Sequence, residues 1–539
     1  MSGGDADPAV PPAAPPAGAR RDAGREIARG ARRLSALTML SRVLGLIREQ
    51  IFAVTLGASG VSDAFLAAFR IPNLLRDLFA EGALSTAFVP TYVKTLKQEG
   101  RPAAFLLGNR VLTTLSFYLG ALALLGMLWP GPVVRVVAAG FSPEKRELTA
   151  HLVRVMMPYL PIISLAVVAM GALNAESRYT APGLASSVFN VVAIVGGGAL
   201  FLLGVAPRTA VTVWAGLTLV GGVGQLVVQF PPLWKLGWRP AFAPDLRLRN
   251  EGTRRIAALM APATLSVAAV QINVVVNTSF ASLCAEGSIS WLGYAFRLMQ
   301  LPIGVFGVAI GTTSLTHLAR DAAANDFEAL RQTLRRGIQL VLFLTIPSTV
   351  GLAVLGQPII GLIYQHGRFT AHATVETARA LSGFALGLAA YSAIKVVAPA
   401  FYALGKTRVP LFASLAAVGC NVVWNILTFR RFGHVGLAVG TSIAAITNLA
   451  VLIIAFQVSV GHLVNRPLVG AIGRIIVAAA LMAAVIWPAA RWLTAHVPAN
   501  TAGRAVTVVV PIVLGTAVYF TAARLMKVAE LGALMRRRK

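Results

Sequence analysis

The chain has 539 residues, of which 56% are hydrophobic and only 13% charged, and its mean hydropathy is +0.72. Soluble domains carry about a quarter charged residues, and a chain this apolar has too little polar surface to cover itself, so a soluble enzyme is excluded. The formal net charge of +28 invites a nucleic-acid reading, but the placement of the charges along the chain removes it.

Residues 1–33 are rich in Pro and Ala and then in Arg, without an apolar core. They read as a disordered basic cytoplasmic tail, and no cleavable signal peptide is expected ahead of the first span. Beyond them, apolar stretches recur at the length of about 20 residues that crosses a hydrocarbon core. They are continuous rather than alternating, so helices and not a barrel are expected. Fourteen spans are predicted, at 34–56, 62–93, 104–129, 149–173, 181–205, 209–233, 256–283, 290–318, 338–356, 379–403, 409–429, 434–460, 469–490 and 505–525. The fold class is therefore an all-α polytopic membrane protein. With both termini cytoplasmic, 28 of the 48 Lys and Arg fall inside, 9 outside and 11 within or at the edges of spans. This positive-inside bias explains the basicity without any nucleic acid. Arg430 and Arg431 are exceptions, placed outside.

The first two spans hold most of the intramembrane charge. Of twenty carboxylates, only Glu49, Asp63, Asp77 and Glu81 lie in spans, together with Arg42, Arg48, Arg70 and Arg76. Each such charge costs at least about 2.5–3.5 kcal/mol at a helix centre, which makes it functional by default. At 100° per residue, Asp63, Arg70, Asp77 and Glu81 fall within about 40° and form one polar stripe, with a kink expected at Pro72. The plainer alternative for Arg42 and Arg76 is snorkelling or pairing near helix ends.

A basic linker at 234–255 leads into a second half that repeats the first. Ala-Phe-Arg ending at Arg70 recurs 227 residues later at Arg297. Gly82-Ala-Leu-Ser matches Gly311-Thr-Thr-Ser at an offset of 229, and the segments ending at Pro182 and Pro410 match at 228. The interval holds six spans, so both halves enter the membrane in the same direction, as in parallel repeats that enclose a central site. The expected organisation is a lobe over 34–233, a second lobe over 256–460, an added helix pair over 461–525 and a basic cytoplasmic tail over 526–539.

The second half adds Arg297 in span 8 and Lys395 in span 10, with no intramembrane carboxylate of its own. If all these groups face one cavity, it carries a net charge near +2 and suits an anion. Arginine's planar fork suits phosphate in particular. Arg297, lacking a visible acidic partner, is the expected main anchor for a diphosphate. Asp63, Asp77 and Glu81 are expected to be held ionised by arginines and to shape or gate the cavity.

Other signals are weak. Gly-x-x-x-Gly at 307–311, 383–387 and 436–440 reads as helix packing. Gly405-Lys-Thr lacks the upstream glycine of a phosphate loop. The two cysteines, Cys284 and Cys420, and the scattered histidines suggest neither a disulfide framework nor a metal site.

The segment Ser41–Pro90 reads SRVLGLIREQIFAVTLGASGVSDAFLAAFRIPNLLRDLFAEGALSTAFVP. It resembles the MurJ (MviN) family, lipid II flippases of peptidoglycan synthesis in the multidrug/oligosaccharidyl-lipid/polysaccharide exporter superfamily. Weaker similarity runs through SWLGYAFRLMQLPIGVFGVAIGT, YQHGRFTA and KVVAPAFYALGKTRVP, covering about 34–460. The resemblance implies fourteen spans, two six-helix lobes and an added pair lining a groove for the lipid tail. It also implies that Arg42, Arg48, Asp63, Arg76, Glu81 and Arg297 occupy positions of charged cavity residues, and that Lys395 matches a family lysine. Two departures stand out. Phe296 and Gln300 replace acidic residues that often flank the span-8 arginine. Asn273, Asn277, Asn421 and Asn425 stand where some members bind sodium with carboxylates, which counts against sodium coupling.

These readings imply an inner-membrane flippase for lipid II that works by alternating access and breaks no bond. It needs no cofactor, and is driven by the membrane potential or a monovalent ion. Its partners would be lipid II, the membrane and cell-wall synthesis machinery, not nucleic acid. The rivals are another polyprenyl-oligosaccharide or drug exporter of the superfamily, a membrane enzyme acting on polyprenyl phosphates, and a scaffold for wall synthesis. A drug exporter favours an acidic cavity, and the enzyme needs clustered carboxylates at a membrane face.

Overall fold

The computed structural model describes residues 17–535, with side chains from residue 36 onward apart from 80–83, 263, 265, 266, 269, 270 and 533–535. In chain order the helices are α1 (Ala17–Leu56), α2 (Gly60–Arg76), α3 (Ala83–Glu99), α4 (Arg101–Leu128), α5 (Pro130–Val137), α6 (Pro143–Met156), α7 (Tyr159–Ala175), α8 (Thr180–Leu202), α9 (Pro207–Val227) and α10 (Phe230–Lys235). They continue as α11 (Glu251–Ser282), α12 (Ser288–Pro302), α13 (Val308–Ala323), α14 (Phe327–Ile363), α15 (Ala371–Ala403), α16 (Arg408–Val460), α17 (Arg466–His496), α18 (Thr501–Leu525) and α19 (Ala529–Met535). No strand occurs among the described residues. Ten helical stretches among them are long and apolar enough to cross a membrane.

Each predicted span lies on helix, though the breaks fall where local chemistry puts them. Span 2 runs through α2, a π-helical turn at Asp77–Gly82, and α3. Pro72 lies inside α2 without ending it, and the π turn begins five residues later. Span 8 has the same construction, with α12, a π turn at Ile303–Gly307 directly after Pro302, and α13. The internal repeat thus extends to local backbone geometry, and π turns inside helices often mark functional positions. Spans 11 and 12 share α16, interrupted at Gly433 (φ 55°, ψ −139°), a conformation that favours glycine. Arg430 and Arg431 sit beside that break, each over a neighbouring ring, Phe429 and Phe432.

The N-terminal tail departs from expectation. Only residues 1–16 lie outside the described residues, and α1 is already helical from Ala17. Ala and Arg dominate 17–34, and strong helix formers extend a helix beyond the membrane without apolar content. At the other end α19 follows α18, and 536–539 lie outside the described residues.

Helices α1, α2, α4 and α6–α9 pack chiefly on one another, and α12–α16 do the same. The α17–α18 pair lies on α14, while α11 touches both groups through α3 and α16. The 234–255 linker is held rather than loose. Trp238 is fully buried, donates to Asn109 Oδ1 at 2.7 Å and stacks on Phe105. Partial burial alone would raise the Asp245 carboxyl, but the N–H groups of Asn250 and Arg249 donate to it and hold it below the usual carboxylate range.

Candidate functional site

The two helix groups are sealed together at the end where α2 and α12 begin. Asp63, in the first turn of α2, is buried and accepts from the backbone N–H groups of Gly287 (2.8 Å) and Ser290 (2.9 Å) and from the Ser290 hydroxyl (2.7 Å). A carboxylate at the start of α12 is favoured both by unpaired N–H groups and by the helix dipole. Lys145 from α6 completes its shell at 3.1 Å. The cap is returned, because Glu286 accepts from the Gly60 N–H at 2.6 Å. Each repeat therefore caps the opening turn of the other. The 364–370 turn adds Arg368, whose guanidinium donates to the carbonyls of Thr55 (2.9 Å) and Val205 (3.0 Å).

Asp63 belongs to the seal, while Arg70 lies two turns on along the same helix and Asp77 at its end, where the π turn begins and resets the phase only for Glu81. Asp63 is not held by an arginine: its cation is Lys145. Asp77 does take an arginine, Arg76 at 3.0 Å, and also accepts from Gln271 of α11 at 2.9 Å. The side chain of Glu81 lies outside the described residues.

Below the seal the arginines converge. Glu49 of α1 is buried and ion-paired with Arg297 of α12, and Arg48 Nη2 lies 3.4 Å from the same carboxylate oxygen. This corrects the expectation that Arg297 lacks an acidic partner. Its partner comes from the other half of the chain, where linear spacing gives no hint of it. Glu49 was accordingly absent from the expected site. Its only signal was being a carboxylate inside a predicted span next to Arg48.

Arg48 and Arg70 are both near enough to Arg297 to feel its charge. Two guanidiniums, Arg48 and Arg297, thus share one carboxylate, leaving about +1, while Arg70 stands near Arg297 and Asp77. The cavity lined by Arg48, Glu49 and Arg297, about 100 Å3, is walled by Phe52, Phe65, Phe69, Phe189, Trp214 and Tyr294. Arg48 lies over Phe189 at 5.5 Å, a cation–π contact. Aromatic walls exclude water and keep the local dielectric low, so an entering anion is held more strongly than in water. Arg70 Nε is buried with no hydrogen-bond partner among the described residues, and half of the Arg297 side chain is exposed. These are donors waiting for an acceptor.

The remaining expected residues are spread out. Arg42 is exposed and reaches the second π turn, where a Cβ on Gly304 would come within 2.9 Å of its Nη1. Lys395 is exposed on α15 and has no ion pair among the described residues; a side chain at Gly311 would strike its carbonyl. Phe296 turns from the cavity and packs edge-on against Phe384. Asn277, Asn421 and Asn425 form one cluster, with Asn425 Nδ2 donating to Asn277 Oδ1 (2.7 Å) and Asn421 Oδ1 (3.1 Å).

Residues 52–501 match the sequence model of a family described as Lipid II flippase MurJ. The chain is 36% identical over 464 residues to the lipid II flippase MurJ of Burkholderia cenocepacia, covering 83% of this chain and 88% of that protein. It is 33% identical over 499 residues to a probable lipid II flippase MurJ of Vibrio cholerae, covering 90% and 93%. A solved structure of a lipid II flippase MurJ in an inward closed conformation superposes with a TM-score of 0.77 at 27% identity, over 93% of this chain and 99% of that one. An inward-facing multidrug transporter of the MATE family shares the fold at a TM-score of 0.62 and 16% identity, over 79% of this chain and 96% of that one. Family match, identity and coverage agree with the arginine-lined cavity, and the chain belongs to the lipid II flippase MurJ family.

Proposed function

We propose that this protein is a lipid II flippase, carrying the polyprenyl-diphosphate-linked peptidoglycan precursor from the inner to the outer leaflet of the bacterial inner membrane by alternating access. The observation that carries this reading is the pair Arg48 and Arg297 on a single carboxylate, Glu49, lining one aromatic-walled cavity, with Arg70 near Arg297. A diphosphate is a dense, forked acceptor, and guanidiniums with unused donors match it. Arg42, Arg76 and Lys395 add positive charge along the route. Asp63 and Glu286 close one end, and Asp77 and Glu81 act at the π turn in gating. No bond changes, so the protein is a transporter and not an enzyme.

Fourteen spans, two six-helix lobes (34–233 and 256–460), the 234–255 linker and the added pair (461–525) complete the reading. The break at Gly433 supports counting α16 twice. The others are α1 and α2–α3, which carry several charges each, and α11, 32 residues long with an uncharged apolar run over 256–273. Both termini are then cytoplasmic and the Asp63 seal faces outward. A reporter fused at Lys539 is expected to be active only in the cytoplasm, and a periplasmic signal would overturn the layout.

Sodium is not expected to drive transport. The Asn277–Asn421–Asn425 cluster has no carboxylate to neutralise a cation, and burying an uncompensated charge is costly. Replacing sodium by choline in spheroplasts should leave the appearance of lipid II in the outer leaflet unchanged. Collapsing the membrane potential should slow it, because one charge moved across 100 mV is worth about 2.3 kcal/mol. The reading as a whole is tested by complementing a conditional flippase-deficient bacterium, with outer-leaflet lipid II as the measurement. Cell-wall synthesis enzymes are the partners that would consume it.

A further inference from the structure

The C-terminal helix pair holds a second cationic pocket, remote from the Glu49 cluster. Where α17 and α18 meet the end of α14, a cavity of about 550 Å3 is lined by Arg491, Arg504, Gln357, Gln365, Thr494 and Thr507, with Val354, Pro358 and Trp487 as its apolar wall. No carboxylate lines it. Arg504 is fixed by one nitrogen, with Nη1 donating to the carbonyls of Gly361 (3.2 Å) and Gln365 (2.6 Å). Its Nε and Nη2 are left to face a ligand. Arg491 lies over the Trp487 ring at 5.0 Å and has no ion pair among the described residues. By contrast Arg208, which the same layout puts on the same side of the membrane, is paired with Glu144 at 3.0 Å.

The chemistry selects the ligand. Two guanidiniums with free donors and the amide N–H groups of Gln357 and Gln365 match the oxygens of a phosphate. The apolar wall leads to the exposed faces of α17 and α18, where a hydrocarbon chain can lie. Arginines at the outer end of a helix pair run against the usual charge bias, and a bound anion would compensate them. We infer that this pocket binds the phosphate head group of an outer-leaflet lipid. Its leaflet rests on the layout given above, whereas its chemistry does not. The ligand is a phosphate ester on a hydrocarbon chain, either a phospholipid or a polyprenyl phosphate.

The test uses the full chain purified in detergent, with native mass spectrometry reading the binding of phosphatidylglycerol, undecaprenyl phosphate and, as a phosphate-free control, dioleoylglycerol. The expected result is at least about tenfold tighter binding of one phosphate lipid than of dioleoylglycerol, lost in Arg491→Ala/Arg504→Ala. Whichever phosphate lipid loses more identifies the source. Arg504 also holds α14, so Arg491→Ala alone, which removes no hydrogen bond, keeps the test valid if the double variant misfolds; it should weaken binding about tenfold. Equal binding of all three lipids, or phosphate-lipid binding unchanged in Arg491→Ala, overturns the site. Separately, Ala499→Cys in a Cys284→Ser/Cys420→Ser chain should react with an impermeant maleimide in intact spheroplasts. Reaction only after permeabilisation overturns the outer-leaflet assignment and the layout with it, whatever the binding result.

Discussion

Arg297→Ala is expected to abolish complementation of a flippase-deficient bacterium while the protein still inserts and folds. The side chain is half exposed to the cavity, and only its Nε side is engaged by Glu49. The other donors are available to a diphosphate. A hydrogen bond to a charged group contributes about 1.5–3 kcal/mol, roughly tenfold to over a hundredfold in affinity. Arg297→Lys keeps the charge but loses the fork, so partial rescue is expected. Glu49→Gln should fail for a different reason. It removes the one carboxylate shared by Arg48 and Arg297 and leaves guanidiniums in mutual repulsion at low dielectric. Arg70→Ala should cost less, because Arg70 is set between Arg297 and Asp77 and is already partly compensated. Normal transport by Arg297→Ala with none by Arg70→Ala would move the anchor to the first half of the chain.

Asp63→Ala is expected to unseat the seal. The carboxylate is buried and accepts four hydrogen bonds from three residues, Lys145 of α6 and Gly287 and Ser290 at the start of α12, so its loss strands Lys145 and those N–H groups. Removing one member of a buried ion pair costs about 3–5 kcal/mol, which is about two to nearly four powers of ten in the balance between sealed and open states. Native Cys284 reports on this end, since it is only half-buried in the turn before α12. Its reaction with an impermeant maleimide should be much faster in Asp63→Ala, and lipid II transport should fall. Lys145→Met leaves the three hydrogen bonds from Gly287 and Ser290 in place and should be milder. Unchanged Cys284 reactivity together with normal transport in Asp63→Ala would remove Asp63 from gating.

The sequence by itself determined that the chain is helical and membrane-embedded. Hydropathy, charge bias and the Ala-Phe-Arg offset are properties of consecutive residues, so they survive without coordinates. Breaks were legible where a residue carries its own backbone preference, as Gly433 does in α16. They were not legible where no residue announces them, as at Asp77, where the π turn begins. The candidate site was legible as a set of residues but not as a set of pairs. Glu49 is adjacent to Arg48 in the chain, yet its contact with Arg297 joins two helices 248 positions apart. Likewise Asp63, which linear phase assigned to the cavity stripe, is claimed by Lys145, Gly287 and Ser290 across the seal. The reason is physical: a buried charge must find its partner in three dimensions, and only the packing of α1, α2, α6 and α12 decides which oppositely charged group is within reach.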